Sequence, residues 1–277
     1  VPVTRFTGYD GTEGKGRIVA IVGAGEMVSV ASAGEEFTVF LDSTPFYAES
    51  GGQVGDTGLI ETASGKGKVT DTKKTPDGKF MHKVRVTEGQ LLLGEEAELH
   101  VDRARRAAIM RAHSATHLLQ KALRTVLGDH VEQAGSLVEP DKLRFDFTHF
   151  AAVTPEQMIA VENMVNDAIL DDLTACVREM PIDEAKKLGA MALFGEKYGN
   201  EVRVVSMGDY SIELCGGTHV PNTARIGAFK ITSEASVAAG VRRIEAFCGK
   251  GLLSLIYEMD SALNETAHSL KTTPADL

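Results

Sequence analysis

The sequence predicts an α+β fold, and two observations carry the prediction. Residues 1 to about 101 read as strand and turn throughout, and a long helical pattern begins abruptly at Asp102. A third observation supports them: short strand-like runs then return, interleaved with further helices.

In the first hundred residues the runs 17–22, 36–41 and 79–86 are rich in β-branched and aromatic side chains. Gly, Asp-Gly and Pro-Asp-Gly signals break them. Many short strands without a helical period predict a small barrel or sandwich. Asp102 then reads as an N-cap and Gly128 as a stop. Between them Ala108, Ala112, Ala115, Leu119, Ala122 and Val126 form a stripe of small residues that lets another element pack close. His113 and His117 fall on a different side, with Met110 and Gln120. Few positions after Arg111 are strongly polar, which predicts a largely buried helix. Thr154-Pro-Glu-Gln157 reads as a capping box opening a second helix, whose apolar face is Met158, Val161, Val165 and Ala168. Strands are expected near 174–180, 201–206, 210–214, 227–232 and 242–248, and a final helix over about 250–270. Residues 272–277 resemble a linker. The change of pattern divides the chain into 1–101, a β-domain carrying a Gly-rich segment, and 102–277, a mixed core ending in a helix. There is no internal repeat.

The chain has 277 residues, 43% hydrophobic and 25% charged, as expected of a soluble globular protein. No apolar run reaches about 18 residues, so no membrane span is expected. The opening Val1-Pro-Val-Thr-Arg-Phe6 has neither an initiator Met nor a signal-peptide pattern, which suggests a piece of something longer. Three cysteines, Cys176, Cys215 and Cys248, are too few and too odd for a disulfide framework; they indicate a reducing, cytoplasmic setting. Cys176 and Cys248 lie in strand-like runs and read as small buried hydrophobes. A net charge of −10 argues against nucleic-acid binding by bulk attraction. Two basic runs cut against that sum: Arg103, Arg105, Arg106 and Arg111, and the pair Arg242 and Arg243. Short runs of this kind usually read as solvated faces.

Chemistry concentrates in two pairs, His113 with His117 and Cys215 with His219, both spaced i, i+4. On a helix that spacing places two side chains one turn apart on one face. At 216–217 a Gly-Gly turn folds the second ligand back toward the first. Either pair alone is a weak signal, since two core or surface histidines would explain the first. Together they make three imidazoles and a thiolate, a tetrahedral set suited to Zn²⁺. Four protein ligands would close the site as structural zinc does, whereas a catalytic zinc keeps one position open. No Glu lies inside the His pair, so a His-Glu-x-x-His protease site is excluded. No other carboxylate stands out as a general base, and a hydrolase would depend on a metal-bound or metal-oriented water. The Gly-rich stretch 46–58 lacks Gly-Lys-Ser/Thr and reads as a tight hairpin or bulge, with Thr44 placed to face a ligand. Gln133 and Ser136 follow the His helix in a turn leading to a strand, near enough in sequence to join a pocket.

These motifs resemble the alanyl-tRNA synthetase family. His-Ser-Ala-Thr-His-Leu-Leu at 113–119 and Cys-Gly-Gly-Thr-His-Val at 215–220 are similar to its two zinc motifs. Phe-Tyr-Ala-Glu-Ser-Gly-Gly-Gln at 46–53 and Gly-Val-Arg-Arg-Ile-Glu-Ala at 240–246 are similar to two further signatures. The resemblance covers almost the whole chain and extends to the freestanding AlaX trans-editing proteins and the editing domain of threonyl-tRNA synthetase. No class II aminoacylation motif is visible, and the opening 6–10 looks like an internal junction, so the chain looks like the family's editing region. The resemblance implies an N-terminal small β-barrel followed by an α+β editing core with antiparallel sheet and long helices. It implies an ester hydrolase, an aminoacyl-tRNA deacylase clearing seryl- and glycyl-tRNA(Ala), with flanking aminoacylation and C-terminal domains in the same protein and no membrane. It further implies Zn²⁺ on His113, His117, Cys215 and His219, with Thr116 and Gln133 lining the catalytic pocket. Ser136 borders that pocket, and Arg242 and Arg243 join Thr44 as candidate substrate contacts. The rivals are a non-catalytic tRNA-binding module with a structural zinc and a metallohydrolase of small substrates.

Overall fold

A computed structural model describes residues 1–191 and 199–277 and shows an α+β protein. By its internal contacts the chain divides into two compact units, Val1–Ala107 and Ala108–Leu277.

The first unit is a closed barrel of six antiparallel strands. Around the ring run Glu13–Gly23, Glu36–Leu41, Phe80–Leu92, Gly65–Lys74, Gly58–Glu61 and Glu96–Val101, the last pairing with the first. Alternation explains the interior: Ile18, Val39, Leu41, Ile60, Val69, Val84 and Leu99 point inward and are fully buried, while their neighbours face out. Closure needs a close strand approach at Gly58, where an added Cβ would sit 2.0 Å from His100 O. The Gly-rich stretch is the expected tight turn: Ser50 and Gln53 bridge, and Gly51 and Gly52 take φ +57° and +82°.

Two polar groups are sealed into this unit. His82, fully buried, sits between Val39 O (3.0 Å from Nδ1) and the Thr44 hydroxyl (2.8 Å from Nε2). With the carbonyl fixing the proton on Nδ1, Thr44 donates to Nε2. Burial pushes the His82 pKa down to about 4. Arg106 and Asp56, 3% and 1% exposed, form an ion pair. The guanidinium also donates to Gly8 O and Pro45 O at 2.8 Å, and the carboxylate accepts from Tyr47 N–H at 2.7 Å. Each guanidinium nitrogen has an acceptor, which favours tolerance of a buried charge pair.

Helix α1 (Arg103–Leu127) starts where expected: Asp102 Oδ1 accepts from Arg105 N–H at 3.0 Å, and Gly128 ends it at φ +118°. Within the second unit its middle, 112–120, is buried. Helix α2 (Pro155–Leu170) has the full Thr154–Gln157 capping box. A short helix α3 (Ile182–Lys187), absent from the sequence reading, precedes two sheets' remaining strands. One antiparallel sheet has the order Gln133–Glu139, Lys142–Thr148, Val241–Cys248, Phe229–Ala238; the other is Ala175–Pro181, Glu201–Met207, Ser211–Leu214. Helix α4 (Gly249–Ser269) follows. No helix among the described residues is long and apolar enough to cross a membrane.

Two expectations are corrected. Cys248 is buried, but Cys176 is exposed, because its strand pairs on one side only and lies open along most of its length. The basic run before the His helix is a solvated face only at Arg103, which is exposed. Arg106 is buried against Asp56, Arg105 donates to Gly55 O at 2.7 Å, and Arg111 pairs with Asp141 at 2.6 Å.

Arg106→Met leaves Asp56 buried without its counter-charge, and is expected to lower stability by about 3–5 kcal/mol in chemical denaturation. His82, with its folded pKa below the unfolded value, binds its proton more readily in the unfolded chain. Its contribution is therefore whole above about pH 6.5 and is lost as pH falls toward about 4. A His82→Gln variant should show a flatter loss of stability across that window than the parent protein.

Candidate metal centre

Strand alternation and helical periodicity converge on one point in the second unit. On α1, His113 and His117 stand one turn apart. Opposite them the strand Ser211–Leu214 runs out into the Cys215–His219 turn. Ile212 and Leu214 turn one way, into a small apolar core with Ala185, Val202 and Val204. Ser211, Glu213 and then Cys215 alternate to the other side.

The result is a cluster that could hold a metal ion, its imidazoles buried and Cys215 half-buried: one donor atom from each of His113, His117, Cys215 and His219, all within 4.8 Å of one another. Cys215 Sγ lies 3.4 Å from His113 Nε2 and 3.3 Å from His219 Nε2. A tetrahedral zinc with ordinary Zn–S and Zn–N bonds would separate sulfur from nitrogen by about 3.5 Å, so the donor set fits. The three imidazoles are 5%, 4% and 9% exposed in chain order.

Neighbouring groups fix the cluster. Arg203 donates to Cys215 O at 2.7 Å and to Gly217 O at 2.9 Å, clamping the Gly-Gly turn from beneath. Gly217 N–H points at Cys215 Sγ, 3.4 Å away. Ser114 Oγ lies 3.1 Å from His219 Nδ1 and accepts from Val220 N–H at 3.1 Å. A proton on Nδ1 toward Ser114 leaves His219 Nε2 facing the thiol with its lone pair. His117 Nδ1 has no hydrogen-bond partner and faces Glu213 Oε2 at 3.5 Å. Ser211 donates to the other Glu213 oxygen at 3.1 Å.

Electrostatics keep the imidazoles neutral. Burial pushes His113 down to about 4, with the Arg203 charge adding to it. Burial, the neighbouring imidazoles and Arg203 hold His117 and His219 well below the ordinary value. Neutral imidazole is the form that binds metal. Burial raises Glu213 to about 8 against the opposing Ser211 hydrogen bond.

The other residues singled out in the sequence lie as follows. Thr116, 4% exposed and adjacent to His117, donates its hydroxyl to Ala112 O at 2.9 Å. Gln133 and Ser136 are half-buried on one strand, opposite Phe147 and Phe145. Thr44 belongs to the first unit, fully buried, with its hydroxyl on His82. Arg242 is bidentate to Glu234 at 2.5 and 2.7 Å, and Arg243 to Asp146 at 2.6 and 2.8 Å. Three residues of the centre were missed: Ser114, Arg203 and Glu213. Ser114 and Glu213 lie inside or beside the two motifs, and the strand alternation of 211, 213 and 215 was the available signal. Nothing local marks Arg203.

Residues 202–245 match the family described as threonyl and alanyl tRNA synthetase second additional domain, and residues 2–105 match tRNA synthetases class II (A). An alanine–tRNA ligase of Acetivibrio thermocellus is 56% identical over 99% of this chain, and one of Geobacillus kaustophilus 50% over 99%. One from Listeria innocua is 50% identical over 98%. The chain spans 31% of the length of each of these relatives.

Ser114→Ala strips a partner from both His219 and the Val220 amide. It is expected to cost roughly 1–3 kcal/mol of stability in the metal-free protein, read by chemical denaturation.

Proposed function

Because this chain is a region of the alanyl-tRNA synthetase family, we propose that its second unit is an aminoacyl-tRNA deacylase. On this reading it removes serine and glycine mistakenly joined to tRNA(Ala), with zinc as its metal. The observation that carries the reading is the convergence of four donors, two on α1 and two on the Gly-Gly turn, within 4.8 Å. The turn lies inside the segment that matches the editing-type domain.

Chemical need supports it. A synthetic site shaped for alanine cannot exclude the smaller glycine, and a hydrophobic site rejects an added hydroxyl by only about a hundredfold. For serine, a second site succeeds by requiring that hydroxyl, since polar groups left unpaired by alanine cost roughly 1–3 kcal/mol each. Thr116 and Gln133 are the groups assigned to it, with Ser136 at its border. Thr116 donates its hydroxyl hydrogen bond to Ala112 O, and its oxygen remains an acceptor for the substrate hydroxyl. Gln133 supplies both a donor and an acceptor. The aminoacyl ester is already activated, so holding it against an ordered water supplies much of the rate. Zinc, when bound, supplies a fixed positive charge that positions substrate or water. The protein's own part is to keep three imidazoles neutral and the Cys215 turn clamped by Arg203. Phosphate contacts by Arg242 and Arg243 would compete with Glu234 and Asp146, which makes binding sensitive to salt. Thr44, sealed in the barrel, carries no substrate contact in this proposal. The flanking aminoacylation and C-terminal domains of a full-length ligase are the proposed partners.

A second reading has a specific observation in its favour. Four protein donors close a tetrahedron, the pattern of structural zinc, and that suits a non-catalytic tRNA-binding module.

One assay separates them. The full chain is expected to hydrolyse Ser-tRNA(Ala) and spare Ala-tRNA(Ala), and Cys215→Ala to lower the rate at least a hundredfold with its circular dichroism spectrum retained. Equal rates would refute a catalytic part for the centre. Tight tRNA binding without hydrolysis, with loss of fold on chelation, would establish the structural module.

A further inference from the structure

Glu213 is a buried carboxylate that the proposed chemistry does not use. It is 4% exposed, and the group aimed at it from α1 is His117 Nδ1, itself without a hydrogen bond. The register explains the meeting. Along the strand, Glu213 and Cys215 lie one two-residue step apart, about 6.7 Å. Along α1, His117 and His113 lie one four-residue step apart, about 6 Å. Run in opposite directions, the two steps nearly match. Cys215 Sγ meets His113 Nε2 at 3.4 Å, and Glu213 Oε2 meets His117 Nδ1 at 3.5 Å. The pairing is thus built by the same geometry that assembles the metal ligands.

The other carboxylate oxygen is anchored. Ser211, on the same strand face and 2% exposed, donates to Oε1 at 3.1 Å, which leaves Oε2 turned toward the imidazole. A carboxylate sealed from water without a cation is costly, and an imidazole bound to a divalent metal through one nitrogen becomes a strong donor at the other. His219 shows the same pattern, with Ser114 at its Nδ1.

We infer that Glu213 is a positioning residue for the metal centre: it accepts the Nδ1 proton of His117, fixes that tautomer and presents Nε2 to the ion, with Ser211 holding the carboxylate in place. In the metal-loaded protein the 3.5 Å separation closes into hydrogen-bond range, about 2.7–3.2 Å. The inference rests on the proposed metal centre and adds an outer partner to it.

The test measures zinc affinity of the full chain by competition with a chromophoric chelator, beside thermal unfolding of the metal-free protein. Glu213→Gln should weaken zinc binding about 10–100-fold, the usual effect of removing an outer partner of a ligating histidine. The metal-free melting temperature should stay the same or rise, because a buried acid has been removed. A merely structural Glu213 would behave the other way, with affinity within about threefold of the parent and a lower melting temperature; that result overturns the inference. Ser211→Ala, which loosens the carboxylate without deleting it, should weaken binding several-fold and carries the test if Glu213→Gln does not fold; unchanged affinity there overturns it equally. Cys215→Ala separates the two levels. If it binds zinc as tightly as the parent, the centre itself is refuted. If it loses zinc while Glu213→Gln does not, only the role of Glu213 falls.

Discussion

Nitrogen and sulfur lone pairs brought out of water must be given partners, and in the second unit that need reaches well beyond the four donors. Three imidazoles close enough for their ring centroids to lie 4.5–5.4 Å apart could not all carry a positive charge. Burial and the Arg203 charge keep them neutral, and neutrality leaves each ring with a lone pair to place. The clamp of Arg203 on the Gly-Gly turn, the hydroxyl of Ser114 and the carboxylate of Glu213 are the surroundings that such a cluster requires. An ion at its centre would be the common partner for lone pairs now turned toward one another.

Local signals survived the passage from sequence to structure. The Thr154–Gln157 box, the Asp102 cap and the Gly128 stop depend on neighbours within four residues, so they could be read directly. The two ligand pairs were legible for the same reason, since each is an i, i+4 unit. Their meeting was legible only by chemistry: two half-sets of soft donors make one tetrahedron. The β-barrel was foreseen as barrel or sandwich, because alternation reveals strands but not which edges join.

The misreadings share a cause. Arg106 and Asp56 are separated by 50 residues, and nothing beside either one announces a buried partner. A run of arginines therefore looked solvated. Cys176 sits in a sequence that reads as a strand, but exposure of a strand depends on what pairs with it and what packs over it. Ser211 and Glu213 look like ordinary polar residues until the alternation is traced through to Cys215. Long-range partnership, rather than local conformation, was what the residues alone withheld.

The Arg106 network also bears on how the polypeptide can be divided. The pattern changes at Asp102, and a cut there would seem natural. Yet the guanidinium that satisfies Asp56, Gly8 and Pro45 arrives with the first turn of the helix. A truncated barrel ending at Val101 would retain the acid and lose its counter-charge. Severing after Ala107 keeps the staple with the strands it fastens, so the seam between the two halves runs through a helix rather than through a loop.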